Sequence, residues 1–224
     1  MLSYSSSSDK YASNSHFDRC LRQIEQDILR MGALVEQSFR LSHEALFDQN
    51  IEVTKQINAL DEQIDQYYRQ IELDCVTLMT LKAPFARDLR LICAYMQLIR
   101  DIERIGDYAE DLAEFALKLF PYSSHECLPE VAAMSQQTQM MLAASLGALS
   151  DLDDTAGRRV KEMDDTVDEA YEHLYITLAK ETDVKGSVEP ILLLGLVIRH
   201  LERMADHATN IGQRVSYIVT GDRA

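Results

Sequence analysis

The chain has 224 residues, 46% of them hydrophobic, which permits one large or two smaller packed cores and excludes a disordered protein. Its 37 acids outnumber 22 lysines and arginines, for a formal charge of -15. That balance argues against a nucleic-acid surface, which needs clustered basic side chains, and suits cations or basic partner surfaces. With only 8 glycines and 4 prolines and no Trp, long uninterrupted helices and an all-α fold are expected.

Residues 1–14 are Ser-rich and lack apolar periodicity, so a mobile tail is expected there. Leu21, Ile24, Ile28, Met31, Val35 and Phe39 then form an apolar stripe at helical spacing. After a junction at Asp48-Gln49-Asn50, Ile51, Ile57, Leu60, Ile64, Tyr67, Ile71 and Leu78 form a second. A third follows Pro84, through Leu89, Ile92, Met96, Ile99 and Ile102 towards Phe120. Two prolines and two serines interrupt the pattern between Pro121 and Pro129, marking residues 121–128 as a linker. Three more helical segments follow, about 129–149, 154–182 and 188–219, broken at 150–154 and 185–190. The expected architecture is therefore two tandem three-helix bundles, over 15–120 and 129–220.

An internal repeat supports this division. Ile99-Arg100-Asp101-Ile102-Glu103-Arg104-Ile105-Gly106-Asp107-Tyr108-Ala109 aligns at offset 99 with Ile198-Arg199-His200-Leu201-Glu202-Arg203-Met204-Ala205-Asp206-His207-Ala208. Upstream, Leu60-Asp61-Glu62-Gln63-Ile64-Asp65 matches Met163-Asp164-Asp165-Thr166-Val167-Asp168 at offset 103.

The repeated acids are placed symmetrically about the breaks. Asp61 and Asp65 precede Pro84 by 23 and 19 residues, and Glu103 and Asp107 follow it by 19 and 23. Asp164, Asp168, Glu202 and Asp206 mirror one another in the same way about Lys185. If each break joins two antiparallel helices, four acids lie level across each hairpin. Acids four apart on one helix sit roughly 6 Å apart along the axis, and neighbouring axes lie about 8–10 Å apart. A cation or a small cluster of cations can bridge that span through oxygen ligands. Lone pairs of acids at this spacing are ordinarily solvated surface; their recurrence at matched, mirrored positions makes these eight candidate metal ligands. Two agents could offset their repulsion: Arg100, Arg104, Arg199 and Arg203, forming a metal-free salt-bridge lattice, or a metal. Asp111 and Asn210 continue the series one turn further on.

The two ExxxD motifs, preceded by Pro84-Phe85-Ala86-Arg87-Asp88-Leu89-Arg90 and joined by Met31-Gly32-Ala33-Leu34-Val35-Glu36, resemble the PhoU family of bacterial phosphate-signalling proteins. The resemblance runs from about His16 to Ser216. It implies two pseudo-symmetric three-helix bundles whose eight matching acids can hold divalent or trivalent metal ions, such as Fe, Mn, Mg or Zn. It also implies a non-enzymatic negative regulator of the phosphate-starvation response and of phosphate uptake, often a homodimer. Its implied partners are the ATPase subunit of a phosphate ABC transporter and a membrane sensor histidine kinase.

Other classes fit less well. A ferritin-like di-iron enzyme needs Glu-x-x-His pairs, and none of the six histidines has a Glu three residues before it. A phosphotransfer bundle with His200 as acceptor lacks a nucleotide loop, and no other nucleophile motif occurs. The longest apolar run, Ile191 to Ile198, is far short of the roughly 20 residues that span a bilayer. With no secretory pattern, a cytoplasmic protein is expected, its four separated cysteines reduced and mostly buried.

Overall fold

The computed structural model describes residues 7–82, 86–182 and 186–221. Within them lie α1 (Ser7–Phe47), a 3-10 turn (Ile51–Val53), α2 (Thr54–Lys82), α3 (Ala86–Leu119), α4 (Leu128–Asp151), α5 (Asp154–Ala179) and α6 (Glu189–Thr220). Helices α1, α2 and α3 pack on one another, and α4, α5 and α6 do the same, so the two expected three-helix bundles are present. Pro84 and Lys185, the pivots of the mirrored acids, lie outside the described residues, as do positions 1–6 of the expected tail.

From Ser7 onward that expected tail belongs to α1. It carries no Gly or Pro, so the helix can propagate outward from the packed turns that begin near Ile24. The α4 to α5 connection is just Leu152 and Asp153. Leu152 adopts a left-handed conformation at φ 50, and the Asp153 side chain caps α5 by accepting from Thr155 N and Ala156 N at 2.9 and 3.1 Å.

The apolar stripes of α1 and α2 form the core much as their spacing predicts: Ile24, Ile28, Met31, Val35 and Phe39 face Ile57, Leu60, Ile64, Ile71 and Leu78. The α3 stripe is different. Leu89 is exposed and Met96 half-buried, while Tyr95, Leu98 and Ile105 are buried beside Ile92, Ile99 and Ile102. The cause is tertiary, because α3 packs against α1, α2 and α6 and therefore buries a wider arc than one stripe. The α3–α6 seam merges both bundles into one continuous hydrophobic cluster.

Polar pairs cross that seam in a pseudo-symmetric pattern. Asp101 Oδ1 of α3 meets His207 Nδ1 and Asn210 Nδ2 of α6 at 2.8 and 3.3 Å. His200 of α6 reaches Asp111 Oδ2 of α3 at 3.1 Å and packs edge-on against the Tyr108 ring. Under the repeat, Asp101 corresponds to His200, Tyr108 to His207 and Asp111 to Asn210, so each contact is the counterpart of the other.

Candidate cation sites on the two helical hairpins

Asp61 and Asp65 stand on α2, Glu103 and Asp107 on α3, Asp164 and Asp168 on α5, and Glu202 and Asp206 on α6. Across the first hairpin the carboxylates are close enough to perturb one another. Burial raises the pKa of Asp61, and the neighbouring Asp65 and Asp107 raise it further. Burial likewise raises Glu103, with Asp107, Asp65 and Asp61 adding to it and Arg104 opposing. Asp107 is raised by burial against the pull of Arg104. In the second hairpin burial raises Asp168, then Asp164 and Asp206 add to it. Glu202 is raised by burial and by Asp206, with Arg199 and Arg203 opposing. In each hairpin an acid of one helix therefore feels a carboxylate of the other, Asp61 that of Asp107 and Asp168 that of Asp206.

Basic side chains, each on the same helix as its partner, hold many of these oxygens. Arg69 Nη1 lies 3.1 Å from Asp65, and Arg104 Nη1 2.6 Å from Asp107. Lys161 Nζ lies 2.7 Å from Asp164, Arg203 Nη1 2.8 Å from Asp206, and Arg199 Nη1 2.8 Å from Glu202 Oε2, close in distance but without hydrogen-bond alignment. Three of the four arginines singled out from the sequence thus take part, joined by Arg69 and Lys161. The Tyr108 hydroxyl accepts from Arg104 Nη2 at 3.2 Å and is shared with Arg203, so one phenol connects the two acidic sets.

Among the described residues no three carboxylate, imidazole or thiol groups converge on a ready coordination centre. The donor chemistry nevertheless fits a hard cation. The sets are all oxygen, their charges are incompletely offset, and Asp164, only 3% exposed, has a buried Oδ1 with no partner at all. The two residues one turn further on go elsewhere: Asp111 and Asn210 both serve the α3–α6 seam. His200, with Nδ1 2.9 Å from the Leu196 carbonyl and Nε2 on Asp111, is an interhelical contact residue.

Comparison with known proteins decides what this arrangement belongs to. The PhoU domain family matches twice, over residues 28–116 and 131–215. The chain belongs to the PhoU family.

A phosphate-specific transport system accessory protein, the PhoU homolog of Synechocystis sp., is 61% identical over 209 residues, 93% of each chain. The crystal structure of PhoU from Pseudomonas aeruginosa superposes with a TM-score of 0.86 at 32% identity, covering 92% of this chain and all (100%) of that one. The phosphate transport system regulatory protein PhoU from Streptococcus pneumoniae gives a TM-score of 0.84 at 29% identity, covering 93% and 99%. Each PhoU domain contains one bundle's four candidate acids. Sequence reasoning missed two residues in this PhoU chain, Glu110 and Lys161. Both were accessible by extending the mirror spacing one turn further from the breaks: Asn58 then faces Glu110, and Lys161 faces Thr209. Burial, and then the neighbouring Asp61, raise the pKa of Glu110.

Proposed function

We propose that this protein is a cytoplasmic, non-enzymatic accessory regulator of phosphate uptake that represses the phosphate-starvation response. It acts as a homodimeric adaptor between the ATPase subunit of a phosphate ABC transporter and a sensor histidine kinase. The 61% identity to a phosphate-specific transport accessory protein, over 93% of both chains, carries the reading. Among the described residues no helix is long and apolar enough to cross a membrane, in keeping with an adaptor that meets membrane partners from one side.

The proposal includes divalent or trivalent cations, Fe, Mn, Mg or Zn, at the two acidic sets. Asp61, Asp65, Glu103 and Asp107 would hold one group of ions, and Asp164, Asp168, Glu202 and Asp206 the other. A bound cation neutralises several carboxylates together and fixes the relative position of the two helices that supply them. Docking faces built on those helices would then respond to metal. A metal-free adaptor is the second reading, favoured by the five Lys and Arg contacts that already hold acids in both sets.

Deleting the chromosomal copy and assaying a phosphate-repressed activity in rich phosphate tests the regulatory role. Derepression is expected, and continued full repression would refute it. Capture of the ATPase subunit and the kinase with and without chelator separates the two readings, since the metal-free adaptor predicts equal capture.

A further inference from the structure

The two acidic sites differ at one rung. Counting outward from the helix breaks, Asp65/Glu103 corresponds to Asp168/Glu202, and Asp61/Asp107 to Asp164/Asp206. The next rung pairs Asn58 with Glu110 in the first hairpin and Lys161 with Thr209 in the second. The first site therefore has five carboxylates over three rungs and the second has four carboxylates and an ammonium, a difference of two formal charges.

The ammonium is held where it matters most. Lys161 Nζ lies 2.7 Å from Oδ2 of Asp164, whose side chain is 4% exposed, while Oδ1 of the same carboxylate has no partner. Few groups other than a cation stabilise an acid so buried. The Lys161 side chain is 55% exposed, so a solvent-accessible lysine reaches a buried acid. The first site has no counterpart of that pair: its Arg104–Asp107 contact at 2.6 Å is matched by Arg203–Asp206 in the second site, and its remaining basic contact is looser. The Arg69 and Asp65 side chains are 66% and 40% exposed, so solvent and salt screen the pair. The second hairpin is also the tighter one beside this rung, where the backbones of Gly157 and Gly212 touch. The equivalent positions of the first hairpin are Thr54 and Ala113.

Resting on the cation reading above, we infer that the two sites fill unequally. The α2–α3 site binds a divalent cation first, and Lys161 is a resident cation that weakens metal binding at the α5–α6 site. Lys161 and Asn58 are thus the residues that set the order of loading between two otherwise matched halves.

The test is Mn2+ titration of the chelator-treated full chain, with free Mn2+ read from its EPR signal. Two affinity classes are expected, at least about tenfold apart. Glu103→Ala/Asp107→Ala should abolish the tight class, and Glu202→Ala/Asp206→Ala the weak one. Lys161→Asn, which copies the first repeat, should tighten the weak class by roughly tenfold, and Asn58→Lys should weaken the tight class by a similar factor. Arg69→Ala should change either class by less than about threefold. Asn58 is exposed, so Asn58→Lys alone decides the matter if Lys161→Asn does not fold. Saturable binding with equal classes, with the tight class mapping to α5–α6, or with neither Lys161→Asn nor Asn58→Lys shifting its class, would overturn the ordering and leave the cation reading intact. No saturable Mn2+ binding by the wild type would overturn the cation reading itself.

Discussion

His207 on α6 stands with its Nδ1 2.8 Å from Oδ1 of Asp101 on α3, and each side chain is only 13% exposed. This pair joins the two halves of the duplication. The carboxylate also accepts from Asn210, so its loss leaves two partly buried partners unmatched. Asp101→Ala should cost about 1–3 kcal/mol in urea unfolding, the range for leaving such polar partners unsatisfied. Asp111→Ala removes the counterpart acid, whose side chain is half exposed, and should cost less than about 1 kcal/mol. Equal losses would show that the two contacts are equivalent despite their different burial.

Gly212 and Gly157 meet backbone to backbone. A Cβ on Gly212 would sit 2.5 Å from the Gly157 carbonyl oxygen, and one on Gly157 would sit 2.7 Å from that of Gly212. Gly212→Ala should lower stability by roughly 1–3 kcal/mol despite the better helix propensity of Ala, because α5 and α6 must separate. Gly147 on α4 has nothing within 4 Å of such an atom, so Gly147→Ala should stabilise by about 0.5–1 kcal/mol. Thermal melts of the two variants should move in opposite directions.

The Lys161–Asp164 pair should show strong coupling in a double-mutant cycle. Lys161→Ala leaves a buried carboxylate alone and should cost about 2 kcal/mol, less than a fully buried pair because the lysine side chain is largely exposed. In the Asp164→Asn background the same lysine substitution should cost under about 0.5 kcal/mol, since no buried charge remains to be orphaned. Additive effects would mean that the ammonium does not neutralise Asp164.

The acidic sets should make chelator-treated protein more stable on mild acidification. Burial first, and neighbouring acids second, raise Asp61, Glu103, Asp107, Asp168 and Glu202 above their ordinary values. A carboxyl group raised in the folded state binds more protons there than in the unfolded chain, so stability falls as pH rises through that window. The penalty is present in full above the folded-state pKa and disappears below the ordinary carboxylate range. Melting temperature should rise as pH falls from neutral towards the ordinary carboxylate range, before general acid unfolding. With saturating Mn2+ the trend should reverse, because protonation removes metal ligands. A flat profile in both conditions would show that these five acids are solvated and uncoupled.

Much of this was legible before any coordinates. The breaks at Asp48 to Asn50, 121–128 and 150–154 are written in Pro, Ser, Asp and Asn residues that act locally. Ile28, Met31, Val35 and Phe39 announce their burial through spacing alone. The duplication is legible in the matched segments 99–109 and 198–208. The α3 stripe misled at Leu89 and Met96, because a helix that packs on three neighbours buries an arc that no single stripe describes. Helix extension back to Ser7 was also hidden, since a polar segment without breakers carries no periodic signal.

The sequence by itself determined the helices and the duplication, because periodicity, chain breaks and internal offsets are properties of neighbouring positions. Tertiary structure alone decided that α3 and α6 fuse the halves through Asp101 and His207, and that the backbones of Gly157 and Gly212 touch. It also decided that Lys161 sits on a dry Asp164 while Arg69 meets Asp65 in solvent. Those outcomes depend on axis separation and on the rotation of each helix about its axis, which the packing of all six helices sets together.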